Sequence, residues 1–160
     1  MHIEPLLIDE ALQICQWTYP DEYSFYDVED SPDARNELMD GTYFAVKAKQ
    51  NPNELIGFFC YGSNAQVGGS RQLGLYRGDD VLDIGLGMNP NLIGRGSGML
   101  FLSAGIQFAE AAFKPQALRL SVAKFNQRAI RLYTNAGFVT TAFFDNNGTA
   151  FLIMKRNMIR

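Results

Sequence analysis

The sequence is poor in the residues that most enzyme centres lean on. It has one histidine, His2, and two cysteines, Cys15 and Cys60. His2 stands near the N-terminus with no Ser, Cys or Asp pattern beside it, so histidine-based triads and zinc sites are largely excluded. Two cysteines are too few for a disulfide framework and lack metal-ligand spacing. Cys60 lies in the apolar run Ile56-Gly57-Phe58-Phe59-Cys60-Tyr61 and reads as a small buried hydrophobe. No apolar run is long enough to span a bilayer, because Gln107, Glu110 and Lys114 interrupt the longest helical pattern. The N-terminus, Met1-His2-Ile3-Glu4-Pro5, has neither a basic region nor an apolar signal core, so a cytoplasmic location is expected. An excess of positive charge is also missing. A net charge of -3 argues against a nucleic-acid binder, which shows a basic stripe. No repeat, linker or low-complexity stretch divides the chain. Its 160 residues, 47% apolar and 19% charged, suit one soluble domain spanning 1–160.

Glycine, by contrast, is concentrated where chemistry can use it. The run Asn89-Pro90-Asn91-Leu92-Ile93-Gly94-Arg95-Gly96-Ser97-Gly98 follows an apolar strand pattern, Val81 to Met88, and precedes a helical pattern from Met99 to Phe113. Glycines at alternate positions leave backbone N–H groups uncovered by Cβ atoms, at the end of the helix that carries partial positive charge. A diphosphate fits such a place. The run is not a P-loop, since no Gly-Lys-Ser/Thr closes it. Its last glycine comes one residue too early for the dinucleotide spacing G-x-G-x-x-G. On these residues alone two readings stand: phosphate binding, or a turn that lets a helix pack closely on a sheet.

Elsewhere the pattern alternates strands and helices. Ile3 to Ile8 reads as a strand or helix lead-in, and Asp9 is a candidate cap for a helix burying Ala11, Leu12, Ile14 and Cys15. Trp17 to Asp27 crowds aromatics and carboxylates without a sustained period. It suits the wall of a pocket for a cationic group, or a loop stapled down by its aromatics. Ser31-Pro32 opens a short helix, Asp33 to Met39. Tyr43 to Ala48 and Glu54 to Tyr61 form a hairpin turned by Asn51-Pro52-Asn53. Gly62 to Asp79 reads as an irregular hairpin. Alternation in Val81–Met88 places Leu82, Ile84, Leu86 and Met88 on one face and Val81, Asp83, Gly85 and Gly87 on the other. The second face is bare, and an extended ligand arm could lie on it with Asp83 near its far end. Ala117 to Val122 is a buried strand. Asn126 opens a helix ended by Gly137, with Asn126, Ile130 and Tyr133 on one side. Phe138 to Lys155 closes the chain as a hairpin about Asn147-Gly148.

This order of elements, with Gly94-Arg95-Gly96-Ser97-Gly98, then Asn126, then Tyr133 and Gly137-Phe138, resembles the GNAT superfamily of acyl-CoA-dependent N-acetyltransferases. The resemblance covers Val81 to about Lys155 well and the N-terminal half only in element order. It implies a mixed α/β (α+β) single domain, with a mostly antiparallel sheet of six or seven strands splayed at the cofactor site and helices on both faces. The cofactor-binding core would be 81–144, and residues 1–40 the acceptor-site wall. Acetyl-CoA would place its diphosphate over residues 94 to 99, touching Ile93, Gly94, Arg95, Gly96, Ser97, Gly98 and Met99. The pantetheine would run along Leu86, Gly87 and Met88, with Asn126 and Ala129 beside it, and Tyr133 would protonate the departing thiolate. The family usually has Gln or Arg where Ile93 stands, which implies weaker cofactor binding. The acceptor would be a primary amine on a small molecule or peptide, met by Trp17, Tyr19, Tyr23, Tyr26, Asp27 and Asp83. Asp83 is a candidate base, or else an Asp that caps a loop or pairs with an arginine. Asp27 and Glu22 are weaker candidates, suited to attracting a cation. No nucleic-acid or membrane partner is implied, and folds of this type often form homodimers. A non-catalytic acyl-CoA sensor is the competing reading. It would keep the glycine turn without needing Tyr133.

Overall fold

A computed structural model describes residues 1–67 and 80–158. Its strands join into one seven-stranded sheet of order β1-β2-β3-β4-β5-β7-β6, and each pairing given below is antiparallel except that of β4 with β5. The strands are β1 (His2–Pro5), β2 (Tyr43–Ala48), β3 (Asn51–Tyr61), β4 (Val81–Met88), β5 (Ala117–Ala123), β6 (Val139–Asn146) and β7 (Thr149–Asn157). The helices are α1 (Ile8–Ile14), α2 (Pro32–Leu38), α3 (Gly98–Phe113) and α4 (Gln127–Asn135). The backbone forms two compact units, and the chain of β4 passes from one to the other after Gly85.

The first unit comprises Met1–Cys60 and Leu86–Gly105. In it β1 pairs with β2 (Ile3↔Val46) and β2 with β3 (Phe44↔Phe59). The pairing Ala48↔Asn51 places the hairpin turn at Lys49-Gln50 and not at Asn51-Pro52-Asn53. Pro52 is tolerated inside β3 because the ladder is already irregular there, with register shifts on both sides of Lys47. Two expectations for α1 also change. Its cap position is Leu7, whose N–H donates to Glu10 Oε1 at 2.9 Å, and Asp9 sits in the first turn. Leu12 is 41% exposed, because the inward stripe at helical spacing is Glu10, Ala11 and Ile14. Glu10 tolerates burial by pairing with Lys47 Nζ at 2.6 Å, which also reaches Glu4 Oε1 at 2.9 Å. α2 starts as its sequence suggests, with Ser31 Oγ accepting from Ala34 N at 3.2 Å. The core is aromatic: Phe59 on β3 stacks on Phe101 of α3 with ring centroids 4.6 Å apart.

The second unit comprises Tyr61–Gly85 and the chain from Ile106 on. Here β5 pairs with β7 (Leu120↔Met154) and β7 with β6 (Phe144↔Phe151), about a two-residue turn at Asn147-Gly148. Tyr61 packs against Phe108 and Phe113 of α3, with centroids 5.7 and 5.3 Å away. The parallel ladder of β4 with β5 consists of Val81↔Ala117, Leu82↔Leu118 and Asp83↔Arg119, and ends there among the described residues although both strands continue. Of the expected hairpin Gly62–Asp79, Ser63–Ala65 forms a 3-10 turn and 68–79 lie outside the described residues.

Candidate active site

The glycine turn lies in the first unit. Asn89, 8% exposed, anchors its start through three hydrogen bonds: its N–H to Ile56 O at 2.8 Å, its Nδ2 to Leu55 O at 3.1 Å, and Asn91 N to its Oδ1 at 3.0 Å. Beyond Asn89 the chain turns through Pro90–Leu92 and reaches Gly94 at φ +81° and Gly96 at φ +77°. An L side chain resists both conformations, and a Cβ at either position would meet nothing within 4 Å. The two glycines therefore serve the backbone path and not close packing. The helical ladder of α3 begins with Phe101 N donating to Ser97 O at 3.0 Å, so the N–H groups of Gly98, Met99 and Leu100 precede it. Gly94, Arg95 and Gly96 are exposed, and among the described residues Arg95 makes no ion pair. Uncovered amides, the positive end of a helix and open space over two glycines together suit the diphosphate of CoA. Ile93, partly exposed, brings no polar group to it.

Upstream, the bare face expected on β4 is covered at Gly87. A Cβ on Gly87 would come within 2.6 Å of Phe58 Cζ, so the ring of Phe58 fills that side of the strand. Phe58 in turn packs against Trp17 and Tyr43, at centroid distances of 6.3 and 5.9 Å. Trp17 is 8% exposed and belongs to this packed cluster, not to an open wall. Tyr19, also expected on the acceptor side, donates its hydroxyl to Met88 O at 2.8 Å. Tyr23 and Tyr26 are partly exposed and Asp27 is exposed, along the 3-10 turn Asp21–Tyr26 and just after it. Leu86 and Met88 are partly buried.

The second unit carries the other candidates. Asp83 is 4% exposed, and both its oxygens are engaged: Arg119 Nε donates to Oδ1 at 2.6 Å, Arg119 Nη2 to Oδ2 at 2.9 Å, and Gln66 Nε2 to Oδ2 at 2.8 Å. The carboxylate is thus the arginine-paired Asp of the alternative reading, not a group facing a ligand beside glycines. With donors from Arg119 and Gln66 on its two oxygens, the carboxylate is taken up inside the protein. On α4, Asn126 is the cap, its Oδ1 accepting from Ala129 N at 3.2 Å, which engages the Ala129 amide too. Tyr133 is 8% exposed, edge-on to Phe138 at 6.1 Å. The end of α4 is closed by Phe138 N donating to Tyr133 O at 3.0 Å and Gly137 N to Thr134 O at 3.1 Å. Asn126, Ile130 and Tyr133 do follow one helical side, with only Tyr133 buried. Among the described residues no group of three or more His, Cys, Asp or Glu could hold a metal ion, and no helix is long and apolar enough to cross a membrane.

Sequence reasoning missed Arg119, Asn89 and Phe58. Arg119 had a signal, since a charge inside the buried run Ala117–Ala123 demands a buried partner. Asn89 showed only the local cap before Pro90, and its bonds to Leu55 and Ile56, like the partners of Phe58, lie far along the chain.

The sequence profile of the Acetyltransferase (GNAT) family matches residues 8–138. The chain belongs to this family, and it is an acetyltransferase whose acetyl donor is acetyl-CoA. Similar solved structures include a chimera of the Vibrio cholerae spermidine N-acetyltransferase SpeG and hSSAT, with 18% identity, a TM-score of 0.71, and 98% of this chain and 96% of that one covered. A GNAT-family acetyltransferase from Bacillus anthracis gives 16% identity, a TM-score of 0.73 and coverages of 97% and 93%. AAC(6')-Ib in complex with ribostamycin and coenzyme A gives 15%, 0.74, and 97% and 92%. No curated protein sequence matches the chain significantly.

Proposed function

We propose that this enzyme moves the acetyl group of acetyl-CoA to a primary amine, by direct attack of the amine while both substrates are bound to one domain. The observation that carries the reading is the exposed turn at Gly94 and Gly96, with open space over both glycines, leading into the free N–H end of α3. Acetyl-CoA, when bound, supplies an acetyl group already activated as a thioester. The amides of Gly94–Met99 hold its diphosphate, with Arg95 free to add charge from the exposed rim. The backbone of Leu86–Met88, Asn126 and the first turn of α4 bind its pantetheine arm. The neutral amine bonds to the thioester carbon as the C–S bond breaks. Tyr133, a phenol and so a proton donor at neutral pH, gives the proton of its hydroxyl to the departing sulfur, and the proton that the new amide nitrogen sheds to solvent balances the one that restores the phenol. Asp83 is not assigned a proton: it holds Arg119 where the β4–β5 ladder ends. The acceptor is a cationic small molecule or peptide amine. Residues 21–40 carry eight exposed carboxylates against Arg35 alone, a field that draws cations.

Thioester consumption measured with a panel of spermidine, ribostamycin and a lysine peptide tests this reading. Turnover with at least one cationic amine is expected, and none with any of them refutes it. Tyr133→Phe should lower turnover about a hundredfold or more while leaving CoA affinity within about threefold. Unchanged single-turnover rates in that variant would remove the acid role.

A further inference from the structure

Tyr19 stands on the acidic aromatic segment, yet its side chain is directed to the end of β4. Its hydroxyl donates to Met88 O at 2.8 Å, and its own N–H donates to Asp27 Oδ1 at 2.9 Å. The residue is thus held at both ends. Met88 is the last residue of β4, and the next one, Asn89, is the anchor of the glycine turn. Beside this junction Gly87 is covered by Phe58, which stacks on Trp17 two positions before Tyr19. The strand end therefore has β3 on one side, through Asn89, and the Trp17–Asp27 segment on the other, through Tyr19. Burial, and after it the Asp27 carboxylate, push the Tyr19 phenol up to about 12, so its hydroxyl stays a donor across the physiological range.

We infer that Tyr19 is a positioning residue: by holding the Met88 carbonyl it fixes the stretch of β4 that receives the thioester arm of CoA, and so ties the acceptor-side segment to the cofactor strand. The inference rests on the acetyl-CoA reading above. Without the bond the 88–89 peptide plane is held only by the Asn89 N–H, which donates to Ile56 O at 2.8 Å, and the amide and carbonyl groups before it lose one of the two restraints on their aim at the arm. The phosphate end of the cofactor is held separately, by the amides beyond Asn89.

Calorimetry with two ligands tests it: CoA, and 3′-phospho-ADP, which is CoA without its pantetheine arm. Tyr19→Phe keeps the ring and removes one hydrogen bond. It should weaken CoA binding about five- to tenfold and leave 3′-phospho-ADP within about twofold of the native protein. A residue that only supports the fold would change both affinities alike. Equal losses for the two ligands, or CoA binding as tight as in the native protein, would overturn the positioning role alone. Native protein that binds neither ligand would overturn the acetyl-CoA reading and the Tyr19 inference with it.

Discussion

Two adjoining stretches, β4 and the turn that follows it, are both rich in glycine, and they use it for opposite purposes. At Gly87 the missing Cβ makes room for the ring of Phe58, and at Gly57 for Phe101 and the Gly87 carbonyl. These glycines let aromatic rings close the surface. At Gly94 and Gly96 nothing stands within 4 Å of where a Cβ would be, and the positive φ is the reason for glycine. Here the absence of side chains keeps the backbone donors exposed. The same contrast holds for charge. Asp83 in β4 is closed by Arg119 and Gln66, whereas Arg95 in the turn is exposed. A glycine-rich stretch therefore points to an open anion site only where the backbone, and not a neighbouring ring, accounts for the glycine.

Substitutions on the closed side should act on stability. Asp83→Ala leaves a buried guanidinium without its carboxylate and should cost about 3–5 kcal/mol in denaturant unfolding. If it unfolds no more easily than the native chain and instead loses turnover, Asp83 belongs to the chemistry and the contrast fails. Gly87→Ala must displace the Phe58 ring and should cost about 1–3 kcal/mol, read as a lower thermal midpoint. The smallest effect lies at alkaline pH. The folded-state pKa of Tyr19 is raised, so its contribution to stability is complete below the ordinary phenol value near 10 and is lost as pH rises through about 12. Tyr43 is raised as well, first by burial and then by Cys60 and its bond to Glu37 Oε2 at 2.5 Å. Both phenols should ionise later than the exposed ones in an absorbance titration, and Tyr19→Phe should remove one late step. A titration in which every tyrosine ionises near pH 10 would contradict the burial of Tyr19 beside Asp27.

Much of the fold was legible because local chemistry agrees with it. Val81–Met88 is the strand its alternation suggests, and Ser31, Asn126 and Asn147-Gly148 each act where their side chains favour a cap or a turn. The turn at Lys49-Gln50 was not legible, since neither residue signals a turn and Pro52 misdirects toward the residues after it. Nor was the inward face of α1, where Glu10 replaces Leu12, because Lys47 lies on another strand. The site divides the same way. An amide row depends on glycine spacing within ten residues and can be read from them. The fates of Asp83, Trp17 and Tyr19 depend on Arg119, Phe58 and Met88, between 36 and 69 residues away, which no local period encodes.

The central claim is that the turn before α3 is left open in order to hold a diphosphate. Titrating CoA into native protein and into Gly96→Ala by calorimetry tests it most directly. The new Cβ enters the open space beside the turn and opposes a φ of +77°. The account predicts measurable binding to the native chain and affinity about tenfold lower or worse in the variant, with a folding cost of only about 1 kcal/mol. Equal affinities in the two proteins, or no heat of binding to the native chain at about millimolar CoA, would contradict it.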